Sequence, residues 1–262
     1  MNSITDFQRF KSLSRPVSMV TCYDYITARI IDQTTIDAVL VGDSAAMVMH
    51  GFKTTVNAGI EMLIYHVAAV SRGLTGKVLI ADLPFLAHTK GKHKLMEGVD
   101  SLMKAGANGI KIEGADSALS AIGIMVNADV PVMGHLGLTP QSVNKTGGYK
   151  LRGKENGQRL KLFEDARKLE DAGVFAIVLE MIPAELAGEI TQILNVPTIG
   201  IGAGNLTSGQ VLVLHDLLGM NADFKPRFVK KYMDGNQMIK DALTVYDNEV
   251  KSKMFPSEKE SY

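Results

Sequence analysis

Short apolar runs that end in an acid, a base or a glycine recur along this chain. Residues 39–44 read VLVGDS, 78–83 VLIADL, 108–114 NGIKIEG, 130–137 VPVMGHLG, 175–180 FAIVLE and 196–204 VPTIGIGAG. Each has the length and β-branched content of a strand buried on both faces, and each hands over to a loop at its C-terminal end. Eight strands are predicted, over 17–22, 37–42, 77–82, 108–113, 130–135, 174–180, 196–201 and 211–215. Helical spacing lies between most of them. Ile60, Leu63, Ile64 and Val67 share a face, as do Leu95, Val99, Leu102 and Met103, and again Leu186, Ala187, Ile190, Ile193 and Leu194. Pro183 is expected in a first helical turn, and Gly73, Gly106 and Gly173 at helix C-caps. Residues 3–13 read as an amphipathic lead helix.

Strict strand–helix alternation predicts a parallel sheet with right-handed crossovers, and eight units favour its closure. The expected fold is a (β/α)8 barrel, a TIM barrel with an N-terminal lead helix, spanning 1–262 as one domain. Two stretches break the rhythm, 44–56 and the Gly-rich, basic 136–157. Each reads either as a lid or binding loop or as a surface excursion. The 225–262 segment looks helical to about Met254. A polar tail over 255–262 follows, disordered or laid against a neighbouring subunit.

At 262 residues the chain has the length of such a barrel. A chain of this size buries enough surface to fold without metal or disulfide. Its 28 basic and 28 acidic residues cancel, which gives no support to nucleic-acid or membrane-surface binding. Cys22 is the single cysteine, so no intrachain disulfide forms, and a reducing, cytoplasmic setting is expected. Neither a signal-peptide pattern nor an apolar stretch of membrane-spanning length occurs. The sequons at Asn144 and Asn205 read as chance.

In a parallel barrel the C-terminal strand ends meet at one face, where catalytic sites form. Asp43, Asp82, Lys111, Glu113, His135 and Glu180 are therefore expected to share one pocket. Asp43 and Asp82 end neighbouring runs, and two such carboxylates bind one divalent cation or else cap helices. Lys111 and Glu113, two apart, leave their strand on the same face, as a plain ion pair or as a shared ligand site. Glu180 closes a very apolar run, where desolvation raises a carboxylate's pKa and suits it to general-base work. A salt-bridged or capping role is the alternative. His135 polarises an oxygen or is a satisfied structural histidine. Ser44 donates from its loop or caps a turn. GIGAGN at 200–205 holds phosphate or lets the backbone approach closely. The histidines show no zinc spacing.

VTCYD at 20–24, VGDS at 41–44, ADLPF at 81–85, IKIEG at 110–114, GHLGLTPQSV at 134–143, GGYK at 147–150, VLE at 178–180 and IGIGAG at 199–204 occur in this order. With them the chain resembles the ketopantoate hydroxymethyltransferases from about residue 16 to residue 256. The resemblance implies a (β/α)8 enzyme that needs Mg²⁺. It would take a one-carbon unit from 5,10-methylenetetrahydrofolate and pass it to 3-methyl-2-oxobutanoate through a Mg-stabilised enolate, giving 2-dehydropantoate. It implies Asp43 and Asp82 as direct metal ligands and Glu113 as an acid reaching the metal through water. Asp43, Ser44, Asp82 and Lys111 would contact the oxo acid, Glu180 would accept the proton, and His135 would line the site. It also implies small-molecule substrates and a homo-oligomer, a decamer in most members. The chain departs from the family in having Ala45-Ala46 where Leu-Gly is common and Cys22 before Tyr23. The 86–97 segment is unusually basic. Rival readings are a Mg²⁺-dependent lyase or mutase of the phosphoenolpyruvate/isocitrate lyase type, a barrel that binds a metabolite without catalysis, and a phosphosugar-binding barrel.

Overall fold

A computed structural model describes residues 3–142 and 151–262. The 143–150 stretch of the expected loop, with GGYK and the Asn144 sequon, lies outside the described residues. The chain divides into two compact units, 1–213 and 214–262.

The first unit holds eight parallel strands closed in sequence order, β1 to β8 with β8 back on β1. They are β1 Val17–Thr21, β2 Ala38–Val41, β3 Val78–Asp82, β4 Gly109–Glu113, β5 Val132–Gly137, β6 Ala176–Glu180, β7 Thr198–Ile201 and β8 Gly209–Leu212. All eight predicted strands exist. The last begins two residues earlier than expected, and β5 runs on to Gly137, so His135 lies within it. The helices are α1 Thr5–Ser12, α2 Tyr25–Asp32, α3 Ala45–Val48, α4 Ile60–Gly73, α5 Lys92–Lys104, α6 Leu119–Val126, α7 Asn156–Asp171 and α8 Ala184–Ile193. Pro183 sits one residue before α8 rather than inside its first turn. Gly106 and Gly173 follow α5 and α7 with positive φ, as C-caps do, whereas Gly73 is the last helical residue of α4.

The barrel interior follows from the two-residue period of its strands. Met19, Leu40, Val78, Ile80, Met133, Ala176, Val178, Ile199 and Val211 form one buried cluster with Phe7 and Phe10 of α1. The lead helix thus supplies two buried phenylalanines, each contributing on the order of 2 kcal/mol of burial. Lys11 ties the same helix to the C-terminal end of α8. Its Nζ donates to the carbonyls of Thr191, Leu194 and Val196 at 3.1, 2.7 and 2.9 Å. Those carbonyls lie in the last turn of a helix and just beyond it, where a cation is favoured. One more step of two along several strands leads from this apolar core to a polar side chain: Met19 to Thr21, Ile80 to Asp82, Met133 to His135, Val178 to Glu180.

The second unit carries α9 Leu214–Leu217 and α10 Gly235–Lys251. The helix expected over 225–254 is confined to α10, which Asp234 caps at its N-terminus. Met220 N–H bonds the His215 carbonyl, and Tyr232 and Gly235 bond back to the carbonyls of Leu217 and Leu218. The 255–262 tail contains a 3-10 turn at Glu258–Glu260, closed by a Ser257 capping box.

Candidate functional site

Strand register brings the predicted residues together. Asp82 pairs with Lys111 across β3 and β4, and Glu113 with His135 across β4 and β5. Gly137 pairs with Glu180 across β5 and β6. Asp43 follows β2, and its backbone N–H donates to Asp82 Oδ2 at 2.9 Å. Asp43, Ser44, Asp82, Lys111, Glu113, His135 and Glu180 all line one cavity of about 100 Å³. That space holds several water-sized groups. Its apolar wall comes from Leu40, Val178, Ile201 and Val211.

Every charged group here has a partner. Lys111 Nζ lies 2.9 Å from Asp82 Oδ1, with both side chains almost fully buried. His135 Nε2 lies 3.2 Å from Glu180 Oε2, and its Nδ1 lies 3.5 Å from Glu113 Oε1. The imidazole of His135 is therefore held between two carboxylates, and Glu180 is not the isolated acid its apolar run suggested. Lys111 Nζ also approaches His135 Nδ1 at 3.3 Å. The helix-capping readings of this loop have no support in the geometry. The N-terminus of α3 has no side-chain cap, and Ser44 Oγ instead meets the Tyr23 hydroxyl at 2.7 Å. Ala45 and Ala46 begin α3 and are fully buried, so the departure from Leu-Gly leaves a helical turn after Ser44 that alanine favours.

Burial sets the electrostatics. It pushes the Asp43 carboxyl well above the ordinary carboxylate range, and the charges of Asp82 and Glu113 push it the same way. Burial also raises Asp82, against the pull of Lys111 and of the Asp43 N–H. Lys111 is pushed down by burial and further up by Asp82, Glu113 and Asp43, so it stays an ammonium. His135 is lowered by burial and by Lys111, yet its carboxylate partners win and raise it from 6.5 to about 9. It is thus an imidazolium at neutral pH. Four acids share this cavity with two cations, and the upward push on Asp43 and Asp82 reflects negative charge that burial leaves poorly compensated. Buried charge without compensation is costly, and a divalent cation balances it.

The side chains present fit such a cation. Asp43 and Asp82 are adjacent, all-oxygen and strained by their own repulsion. Among the described residues no three metal-type side chains gather around one point. Glu113 Oε2 accepts from the Gln141 backbone N–H at 3.1 Å.

Three participants escaped the sequence reading. Gln141 donates through Nε2 to Asp43 Oδ2 at 2.9 Å and to the Leu83 carbonyl at 3.0 Å, joining the loops after β2, β3 and β5. Tyr23 and Thr55 are the others. Gln141 and Tyr23 lie inside motifs quoted for the resemblance, which was the only signal for them. Thr55 lies in the stretch read as patternless, which in fact contains α3 and the start of a 3-10 turn at Thr55–Asn57. Two glycines shape the rim. Gly137 has φ +96°, and a Cβ there would strike the Glu180 carbonyl oxygen, whose partner is the Leu138 N–H at 2.8 Å. Gly204 has φ +75° and lies against Ala184, so the GIGAGN glycine serves close packing on the start of α8.

Solved structures of similar fold include a phosphonopyruvate hydrolase in complex with oxalate and Mg²⁺. It has a TM-score of 0.65 at 12% identity, covering 99% of this chain and 93% of that one. A 2,3-dimethylmalate lyase of the PEP mutase/isocitrate lyase superfamily has a TM-score of 0.60 at 15% identity, covering 97% and 99%. At such identities the likeness establishes the barrel alone. Sequence relatives go further. Proteins named 3-methyl-2-oxobutanoate hydroxymethyltransferase are 53% identical over 262 residues in Bdellovibrio bacteriovorus, covering 100% of both chains. In Coxiella burnetii the identity is 51% over 252 residues, covering 96% of this chain and 95% of the relative. In Francisella tularensis subsp. novicida it is 47% over 262 residues, covering 100% and 99%. The family model described as ketopantoate hydroxymethyltransferase matches residues 1–258. With Asp43, Asp82, Lys111, Glu113 and Glu180 of its motifs gathered in one cavity, this chain belongs to the ketopantoate hydroxymethyltransferase family, a family of transferases.

Proposed function

We propose that the protein takes the methylene carbon of 5,10-methylenetetrahydrofolate and, with water, adds it as a hydroxymethyl group to 3-methyl-2-oxobutanoate, giving 2-dehydropantoate and releasing tetrahydrofolate. The observation that carries this reading is the cavity's excess of acid around one buried ammonium, in a chain of this family. Asp43 and Asp82 would hold Mg²⁺ directly, and Glu113 through water. Bound there, Mg²⁺ would supply the positive charge that an enolate needs as it forms.

The chain's own groups do the rest. Lys111 offers the oxo acid's carboxylate a buried cation. Tyr23 can donate to Ser44 Oγ, which leaves the Ser44 proton for a substrate oxygen. Leu40, Val178, Ile201 and Val211 suit the branched hydrocarbon end. Glu180 takes the proton from C3, and His135 orients the Glu180 carboxylate through its Nε2 contact.

A steady-state assay with both substrates, with and without EDTA, tests this reading. Product is expected only when the oxo acid, the folate and Mg²⁺ are all present. Turnover of the oxo acid without folate would favour a lyase or mutase, and tight binding without turnover a metabolite-binding barrel. We further propose a homo-oligomer, supported by the exposed Met238, Ile239, Leu243, Tyr246 and Val250 of α10, and a cytoplasmic setting, supported by the lone, buried Cys22. No helix among the described residues is long and apolar enough to cross a membrane.

A further inference from the structure

Thr55 is 3% exposed and lines the cavity, yet among the described residues its Oγ1 has no hydrogen-bond partner. This is unusual for its type, since threonine hydroxyls normally bond a nearby backbone group. Its neighbour Thr54 does find one locally, donating to Asn57 Oδ1 at 3.2 Å. The other polar side chains around the cavity each meet a protein group: Ser44 meets Tyr23, the Gln141 amide holds Asp43 and the Leu83 carbonyl, Lys111 holds Asp82, and His135 faces Glu180 and Glu113. The cavity wall is otherwise rich in carboxylate acceptors, which cannot receive an anionic ligand.

We propose that the Thr55 hydroxyl is a substrate-binding donor, bonding an anionic oxygen of the 2-oxo acid in this cavity. The inference rests on the reading that the cavity takes such an acid, and it adds a contact from the loop after β2 that no strand end supplies. The hydroxyl's desolvation is then offset only when ligand is bound. Its lack of a protein partner becomes a feature of specificity, because an acid bound there must present an oxygen to it.

Valine has the shape of threonine without the hydroxyl, so Thr55→Val separates the two roles a buried hydroxyl can have. Calorimetric titration with 3-methyl-2-oxobutanoate in excess Mg²⁺, together with melting of the ligand-free protein in EDTA, reads both. The expected result is a roughly 10- to 100-fold weaker affinity for the oxo acid, the loss typical of a hydrogen bond to a charged group. It would appear in turnover as a raised KM with kcat less changed. The ligand-free variant should melt no lower than wild type, since it loses an unsatisfied polar group, and Thr55→Ser should keep most of the affinity. Unchanged affinity in Thr55→Val overturns the proposal. So does a ligand-free variant that melts several degrees lower, which would mean the hydroxyl has a protein partner. Wild-type protein that binds no oxo acid at all would instead sink the reading of the site, and this contact with it.

Discussion

Lys111→Met makes the sharpest test of the site's electrostatics. The substitution keeps an unbranched side chain and removes the ammonium that faces Asp82 at 2.9 Å. Breaking a buried ion pair from one side typically costs about 3–5 kcal/mol, because the remaining charge is stranded. The site itself sets a ceiling on that cost, since Asp82 can escape by taking a proton. Protonating an ordinary aspartate, pKa about 3.9, costs about 1.36 kcal/mol per pH unit, which comes to about 5 kcal/mol at about pH 7.5 and roughly 2 kcal/mol at about pH 5.5. For a chain of this length that corresponds to a melting shift of roughly 6–20 °C at the higher pH. Lys94→Met is the control. Lys94 lies 2.7 Å from Glu97, closer than Lys111 lies to Asp82, but its side chain is 67% exposed. An exposed pair contributes about 0–1 kcal/mol. Thermal denaturation of metal-free protein should therefore show a large loss for Lys111→Met that shrinks on acidification, and almost none for Lys94→Met. Equal losses for the two variants, or a loss independent of pH, would refute the argument that burial rather than distance sets the strength of these pairs.

Three other outcomes are expected. Glu180→Gln should retain affinity for the oxo acid and slow turnover by roughly 10²–10⁴-fold, as removal of a general base does, and near-normal kcat would exclude Glu180 from proton transfer. His135 has a folded pKa of about 9, raised above its usual 6.5, so the stability it contributes is complete below 6.5 and is lost as pH rises through about 9. That contribution is on the order of 3 kcal/mol. Metal-free protein should lose melting temperature across this window and His135→Gln should lose less, while parallel slopes for the two would contradict the imidazolium assignment. Lys11→Met, far from the cavity, removes three hydrogen bonds to the end of α8 and should cost about 2 kcal/mol by denaturant titration with kcat unaffected. A loss of kcat at unchanged stability would contradict a purely structural role.

What could be read from the sequence was whatever a strand's own periodicity carries. Apolar runs of four to six residues, each closed by a charged group, specify a doubly buried parallel strand whose last inward residue faces the ligand. For that reason Asp82, Lys111, Glu113, His135 and Glu180 were visible as a set before any coordinates, and the eight-fold alternation implied closure. A local pattern carries no information about which residue meets which. The pairing of His135 with Glu180, which removes the apparent isolation of that acid, depends on how β5 and β6 sit side by side. Gln141, Tyr23 and Thr55 act from loops and from a strand's exit, where backbone direction changes at each residue and no period marks a side chain that points inward. Residues 44–56 looked patternless because a one-turn helix and a 3-10 turn are too short to show one. Composition and periodicity decided the barrel and the residues at its mouth. Only the closed sheet, by placing loops from β2, β3 and β5 within hydrogen-bonding reach, decided how they are partnered and which hydroxyl was left for a ligand.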